Sequence, residues 1–136
     1  MLEPRKTKYR KQHKGTGGGK SGRGTQLNLG QYGLKAIEDG VMSARQIEAV
    51  RQVLSRSTKK AGKLWIRVFP DRPVTFKGTE VPMGGGKGDV IGYEVPVKTG
   101  KILFELEGIG RVEAKEAFRI ASHKLGIKTK FISRDV

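Results

Sequence analysis

The chain has 136 residues, 35% of them hydrophobic, which suits one domain with a modest core. Its 28 Lys and Arg against 13 Asp and Glu leave a formal charge of +15, an imbalance that speaks against an ordinary soluble catalyst and for a nucleic-acid partner. Cysteine is absent, which excludes disulfides and thiolate metal sites, and no apolar run approaches the roughly 18 residues of a membrane span.

The chain starts MLEPRKTKYRK, which lacks the apolar centre of a secretory signal, so an intracellular protein is expected. Residues 1–25 hold eight Lys and Arg and a single acid, placing nearly half of the excess charge in the first fifth of the sequence. With almost nothing apolar to bury, this stretch is expected to be a basic, Gly-rich, RNA-contacting tail, and 26–136 a single globular domain. Lys6, Lys8, Arg10, Lys11 and Lys14 supply phosphate contacts in that reading, with His13 beside them. Tyr9 adds one stacking surface. A solvated tail without a partner is the plainer alternative.

Residues 15–22, GTGGGKSG, resemble a triphosphate-binding loop, but the register fails. The motif needs its first glycine five positions before Gly19, where Lys14 stands, and it needs a buried strand before it and a helix after it. KTKYRKQHK is too charged for the strand, and the glycines of GRGTQLNLGQYG forbid the helix. A nucleotide-dependent enzyme is therefore the weakest of the functional readings.

From Gln26 to Gly40 short glycine-punctuated stretches predict one strand and a turn. SARQIEAVRQVLSRSTKK then predicts a helix opened by a capping box of Ser43 and Gln46. Ile47, Val50 and Leu54 share its apolar face, Arg45, Gln52, Arg56 and Lys59 the opposite one, with Arg51 and Lys60 flanking. Between Ser43 and Lys63 six basic residues face only Glu48. A face meant for solubility mixes its signs, so this one reads as a partner surface.

KLWIRVFPDRP predicts a strand ended by Pro70 and Pro73, and VTFKGTEV follows it. The loop PMGGGKGD comes next, with four glycines in five positions, which permit close backbone approach to a phosphate-bearing ligand at the cost of chain entropy. A mobile hairpin tip is its competing reading. GYEVPVKTGKILFELEG predicts a hairpin turning at Thr99-Gly100, with Glu105 and Glu107 on a solvent face. A second helix is expected over about Val112 to Leu125, its core face formed by Ala114, Ala117, Phe118, Ala121 and Leu125, and KTKFISR closes as a strand. The sum is an α+β domain of antiparallel strands with two packed helices. No catalytic constellation assembles, and His13 and His123 do not pair as metal ligands, so neither enzyme activity nor a cofactor or metal is expected.

In chain order, TKYRKQHKG, GQYGLKAIEDG, ARQIEAVRQVLSR, GKLWIRVFPDRPVT, MGGGKG, GKILFELEG and ASHKLGIKTKFISR resemble the bacterial large-subunit ribosomal proteins of universal family sixteen. The resemblance implies an α/β-hammerhead-like fold and a structural, non-enzymatic place on large-subunit rRNA in the cytoplasmic ribosome, near the peptidyl-transferase region and beside other ribosomal proteins. It implies contact with A-site tRNA, with P-site tRNA as a second candidate. By position it assigns Lys6 to Lys14 to the family's rRNA- and tRNA-proximal arm. It assigns Arg45, Arg51, Arg56, Lys59 and Lys60 to the rRNA-facing first helix, with Lys63 just beyond. The tRNA-facing loop would comprise Met83, Gly84, Gly85, Gly86, Lys87 and Gly88. Many members read V-R-M-G-K-G-K-G there. In this chain Pro82 and Gly85 replace an arginine and a lysine, which removes two charges and makes the arginine hydroxylation of some members impossible. A free-standing RNA-binding or assembly factor using the same surfaces is the alternative.

Overall fold

Alternating side chains in YGLKA make the first strand, and its pairings organise the larger of two sheets. The computed structural model describes residue 24 and residues 26–58, 62–76 and 89–134. In chain order the elements are β1 (Tyr32–Ala36), β2 (Gly40–Ser43), α1 (Ala44–Thr58), β3 (Lys63–Ile66), β4 (Arg72–Phe76), β5 (Asp89–Val97), β6 (Ile102–Glu107), α2 (Arg111–Ser122) and β7 (Thr129–Ser133). The strands form two antiparallel sheets, one of four in the order β3-β6-β1-β7 and one of three in the order β2-β5-β4. The expected α+β class is thus the observed one.

Register decides which face of the larger sheet is core. Tyr32 pairs with Leu106, Leu34 with Phe104 and Phe131, and Leu64 with Leu106, so these apolar residues share one face. Ile47, Val50 and Leu54 of α1 and Ala114, Ala117, Phe118 and Ala121 of α2 join them in one buried cluster. Full burial of Ile47, Val50 and Leu54 contributes about 1.5–3 kcal/mol each, which holds α1 on the core against the entropy of ordering it. On α2 the core side chains are alanines around a single Phe118, so the helix can lie close to its neighbours.

Four local expectations change. The Thr99-Gly100 turn does not close a hairpin, because β5 belongs to the three-stranded sheet and β6 to the four-stranded one. The turn instead hands the chain between sheets. Gly100 has φ 98°, a left-handed value that a side chain resists, and its N–H donates to the Ala36 carbonyl at 2.8 Å. The Thr99 N–H and hydroxyl both donate to Asp39 Oδ1, at 2.8 and 2.9 Å. Secondly, Pro73 does not end a strand but lies within β4, opposite Tyr93. β4 is an edge strand, where a missing N–H costs no ladder bond, and Arg72 ties it to β5 through Glu94 at 2.6 Å. Thirdly, GVMS forms the extra short strand β2, paired with β5 and running straight into α1. Lastly, α2 stops at Ser122, and Leu125 packs on the core from the turn after it.

Candidate nucleic-acid interface

The capping box at the head of α1 forms as the sequence implies. The Gln46 N–H donates to Ser43 Oγ at 3.1 Å, and the Ser43 N–H to Gln46 Oε1 at 2.9 Å. With that start fixed and the apolar stripe buried, the rest of the helix has no rotational freedom about its axis. Arg45, Gln52 and Arg56 recur at i, i+7 and i+11, within about 20° of one line and opposite the core, and all three are exposed. The two guanidinium groups leave the helix about 16 Å apart along its axis. Neither has an ion-pair partner among the described residues.

Arg51 differs from them. It lies one third of a turn away, its side chain is 42% exposed, and Glu48 takes it in a two-bond pair, Nε to Oε2 at 2.9 Å and Nη2 to Oε1 at 2.5 Å. That hydrogen bonding holds the Glu48 carboxyl below its ordinary value and raises the Arg51 guanidinium. A phosphate approaching Arg51 must compete with a carboxylate already in place, whereas at Arg45 and Arg56 it must displace only water. Lys63 is exposed at the start of the edge strand β3, in register with Glu107. The remaining expected contacts fall outside the described residues. These are Lys6, Lys8, Tyr9, Arg10, Lys11, His13 and Lys14 of the tail, Lys59 and Lys60 after α1, and Met83 to Gly88 of the loop.

The opposite face of the large sheet carries a device that sequence reasoning misses. Alternation predicts that Glu105 faces solvent, yet it is fully buried in the middle of β6. Its Oε1 accepts the backbone N–H groups of Asn28, Leu29 and Gly30, at 3.1, 3.1 and 3.0 Å. Its Oε2 accepts from Arg67 Nη1 at 3.0 Å, and the same nitrogen donates to the Gln26 carbonyl at 2.7 Å. Residues 26–30 are thereby drawn across the sheet. A Cβ at Gly30 would lie 2.7 Å from the Leu106 carbonyl oxygen, so only glycine fits beneath this clamp. Desolvating the carboxylate is offset by four charge-assisted hydrogen bonds.

Among the described residues no three His, Asp or Glu side chains gather as a metal site requires, and no helix is long and apolar enough to cross a membrane.

Comparison with known proteins adds what geometry leaves open. The family described as Ribosomal protein L16p/L10e matches residues 4–132. The chain belongs to this family. It is 50% identical over 136 residues to the large ribosomal subunit protein uL16 of Xanthomonas oryzae pv. oryzae (strain PXO99A), covering 100% of this chain and 99% of that protein. The proteins of the same name from Xanthomonas campestris pv. campestris (strain B100) and Alkalilimnicola ehrlichii are 50% and 49% identical over the same shares. Membership in the L16p/L10e family thus spans the basic tail, both sheets and both helices. The family resemblance carried by the seven short stretches is confirmed over nearly the whole chain.

Proposed function

We propose that this protein is a structural, non-catalytic constituent of the large ribosomal subunit, held on large-subunit rRNA by the outward face of α1 and by residues 6–14. Membership in the L16p/L10e family is the observation that carries this reading. The physical support is the sign of the α1 face, where Arg45 and Arg56 stand exposed opposite the core without acidic partners among the described residues. Two such cations, about 16 Å apart along the helix, suit two phosphates that are not neighbours on one strand, and phosphate contacts carry no base information. Arg51 contributes less than its position implies, because Glu48 already occupies it.

The loop from Pro82 to Gly88 faces A-site tRNA in the peptidyl-transferase region, with P-site tRNA as a second contact. With Pro82 and Gly85 in place of two cations, that contact depends on close backbone approach more than on charge. Neighbouring ribosomal proteins complete the set of partners, and the site of action is the cytoplasmic ribosome. The tail of residues 1–25 and the body of 26–136 act as one RNA-binding unit, joined at the Glu105 clamp.

Sucrose-gradient sedimentation of a lysate at moderate salt tests the proposal. The protein should travel with the large subunit and leave it only at high salt. Recovery in the slow fractions at moderate salt would point to a free-standing RNA-binding or assembly factor and overturn the ribosomal reading.

A further inference from the structure

α2 carries a second face that the core does not use. Val112, Lys115 and Arg119 fall three and four residues apart on it, all exposed, Val112 at 78%. Between this face and β7 runs an open groove of about 820 Å³. Leu34 and Phe118, both almost fully buried, form its floor, and the half-buried ring of Phe131 stands at its side. Two rings set the orientation of Phe131: Tyr32 stacks on it at 5.9 Å between centroids with 21° between planes, and Phe118 meets it at 6.1 Å and 51°. The Arg111 guanidinium lies 5.7 Å from the Phe131 centroid while its Nη1 donates to Ser133 Oγ at 2.8 Å.

The charge around the groove selects among occupants. Three cations (Arg111, Lys115 and Arg119) line it against one acid, Glu116, which is paired with Arg119 at 2.7 Å. An apolar protein side chain entering there would have to desolvate those cations, and the centres of protein interfaces are depleted of charge. A single-stranded nucleotide meets each group with a matching one. Its base offers a flat π-face to Phe131 and the Arg111 guanidinium, and a flanking phosphate suits Lys115. A duplex offers no such base, because its bases are already stacked.

We propose that the groove between α2 and β7 seats one extruded nucleobase of single-stranded rRNA, stacked on Phe131 with a flanking phosphate on Lys115. This rests on the ribosomal reading, and the surface is separate from the outward face of α1.

A photoreactive diazirine amino acid placed at position 112 in the full-length protein tests it. Large subunits carrying that protein are purified, irradiated, and the adducts sequenced. The expected result is an adduct to one unpaired rRNA nucleotide. Its yield should fall roughly tenfold in Phe131→Ala, which removes one base–ring stack, and be retained in Phe131→Tyr. The exposed substitution Lys115→Ala should lower the yield as well, which keeps the test open if Phe131→Ala does not fold. An adduct to a neighbouring protein, to paired RNA only, or to nothing in occupied subunits would overturn the proposal. Absence of the protein from the subunits would instead overturn the ribosomal reading, and the groove proposal with it.

Discussion

Glu105 shows how one side chain can serve a whole surface. It is the charged member of the five-residue buried run of β6, and it satisfies three backbone amides and Arg67 at once. Glu105→Ala should cost roughly 3–5 kcal/mol in urea unfolding, because Arg67 and the amides lose their acceptor in a buried place. Glu105→Gln, which keeps one acceptor oxygen, should cost less. A destabilisation below about 1 kcal/mol for the alanine variant would mean that water replaces the carboxylate and that the clamp is not structural. Asp39 is a milder case. The Thr99 backbone N–H, then its hydroxyl, then the Lys98 charge hold its carboxyl below the ordinary value. A carboxyl depressed in the folded state stabilises fully above its unfolded pKa, and that stabilisation is lost as pH falls through the folded one. The stability gap between wild type and Asp39→Asn should therefore close below the ordinary aspartate range. A gap that stays constant from neutral pH into strong acid would contradict the assignment.

At the scale of elements, α1 is legible in the sequence because three independent signals agree on it: the capping box, the apolar stripe and the sign of the outward charge. Ser43→Ala should cost about 1 kcal/mol by thermal unfolding, the ordinary worth of such a cap. Arg45→Glu with Arg56→Glu should weaken rRNA binding strongly while leaving the circular dichroism spectrum unchanged. Removing one phosphate contact should also reduce the slope of log affinity against log salt by about one. Arg51→Ala should do less on both counts, and equal effects would show that Glu48 does not hold Arg51 back. The β5 and β6 strands are legible too, but their partnership is not. GYEVPVKTGKILFELEG carries every local mark of a hairpin, and only pairing across the whole chain separates the two strands into different sheets. The alternation of Glu105 and Glu107 suggests a solvent face, whereas Ile102 to Leu106 are buried on both faces. The one available hint is an acid inside an apolar run, with Arg67 as a cation in another strand-like stretch. Nothing local marks the groove beside α2, because Phe131 and Val112 meet only through the tertiary fold.

For the whole molecule, the two sheets and two helices of the described residues present distinct surfaces that composition alone cannot separate. The net charge of +15 announces an RNA partner without saying which lysines and arginines meet it. Folding answers part of that: Arg67 and Arg72 are committed to Glu105 and Glu94, Arg51 and Arg119 to Glu48 and Glu116, and Arg45 and Arg56 remain open to a ligand. Removal of residues 1–23 should leave the thermal midpoint of the remaining chain nearly unchanged while lowering rRNA affinity at fixed salt. A large fall in the midpoint would show that the tail contributes to the folded body.

Competition during subunit assembly tests the central claim most directly. Wild-type protein and the Arg45→Glu, Arg56→Glu variant, distinguished by isotope label, are supplied in equal amounts and their ratio is measured in purified large subunits. The account predicts that wild type dominates, with the variant left in the free pool and folded. Equal incorporation would contradict the claim that the outward face of α1 meets rRNA.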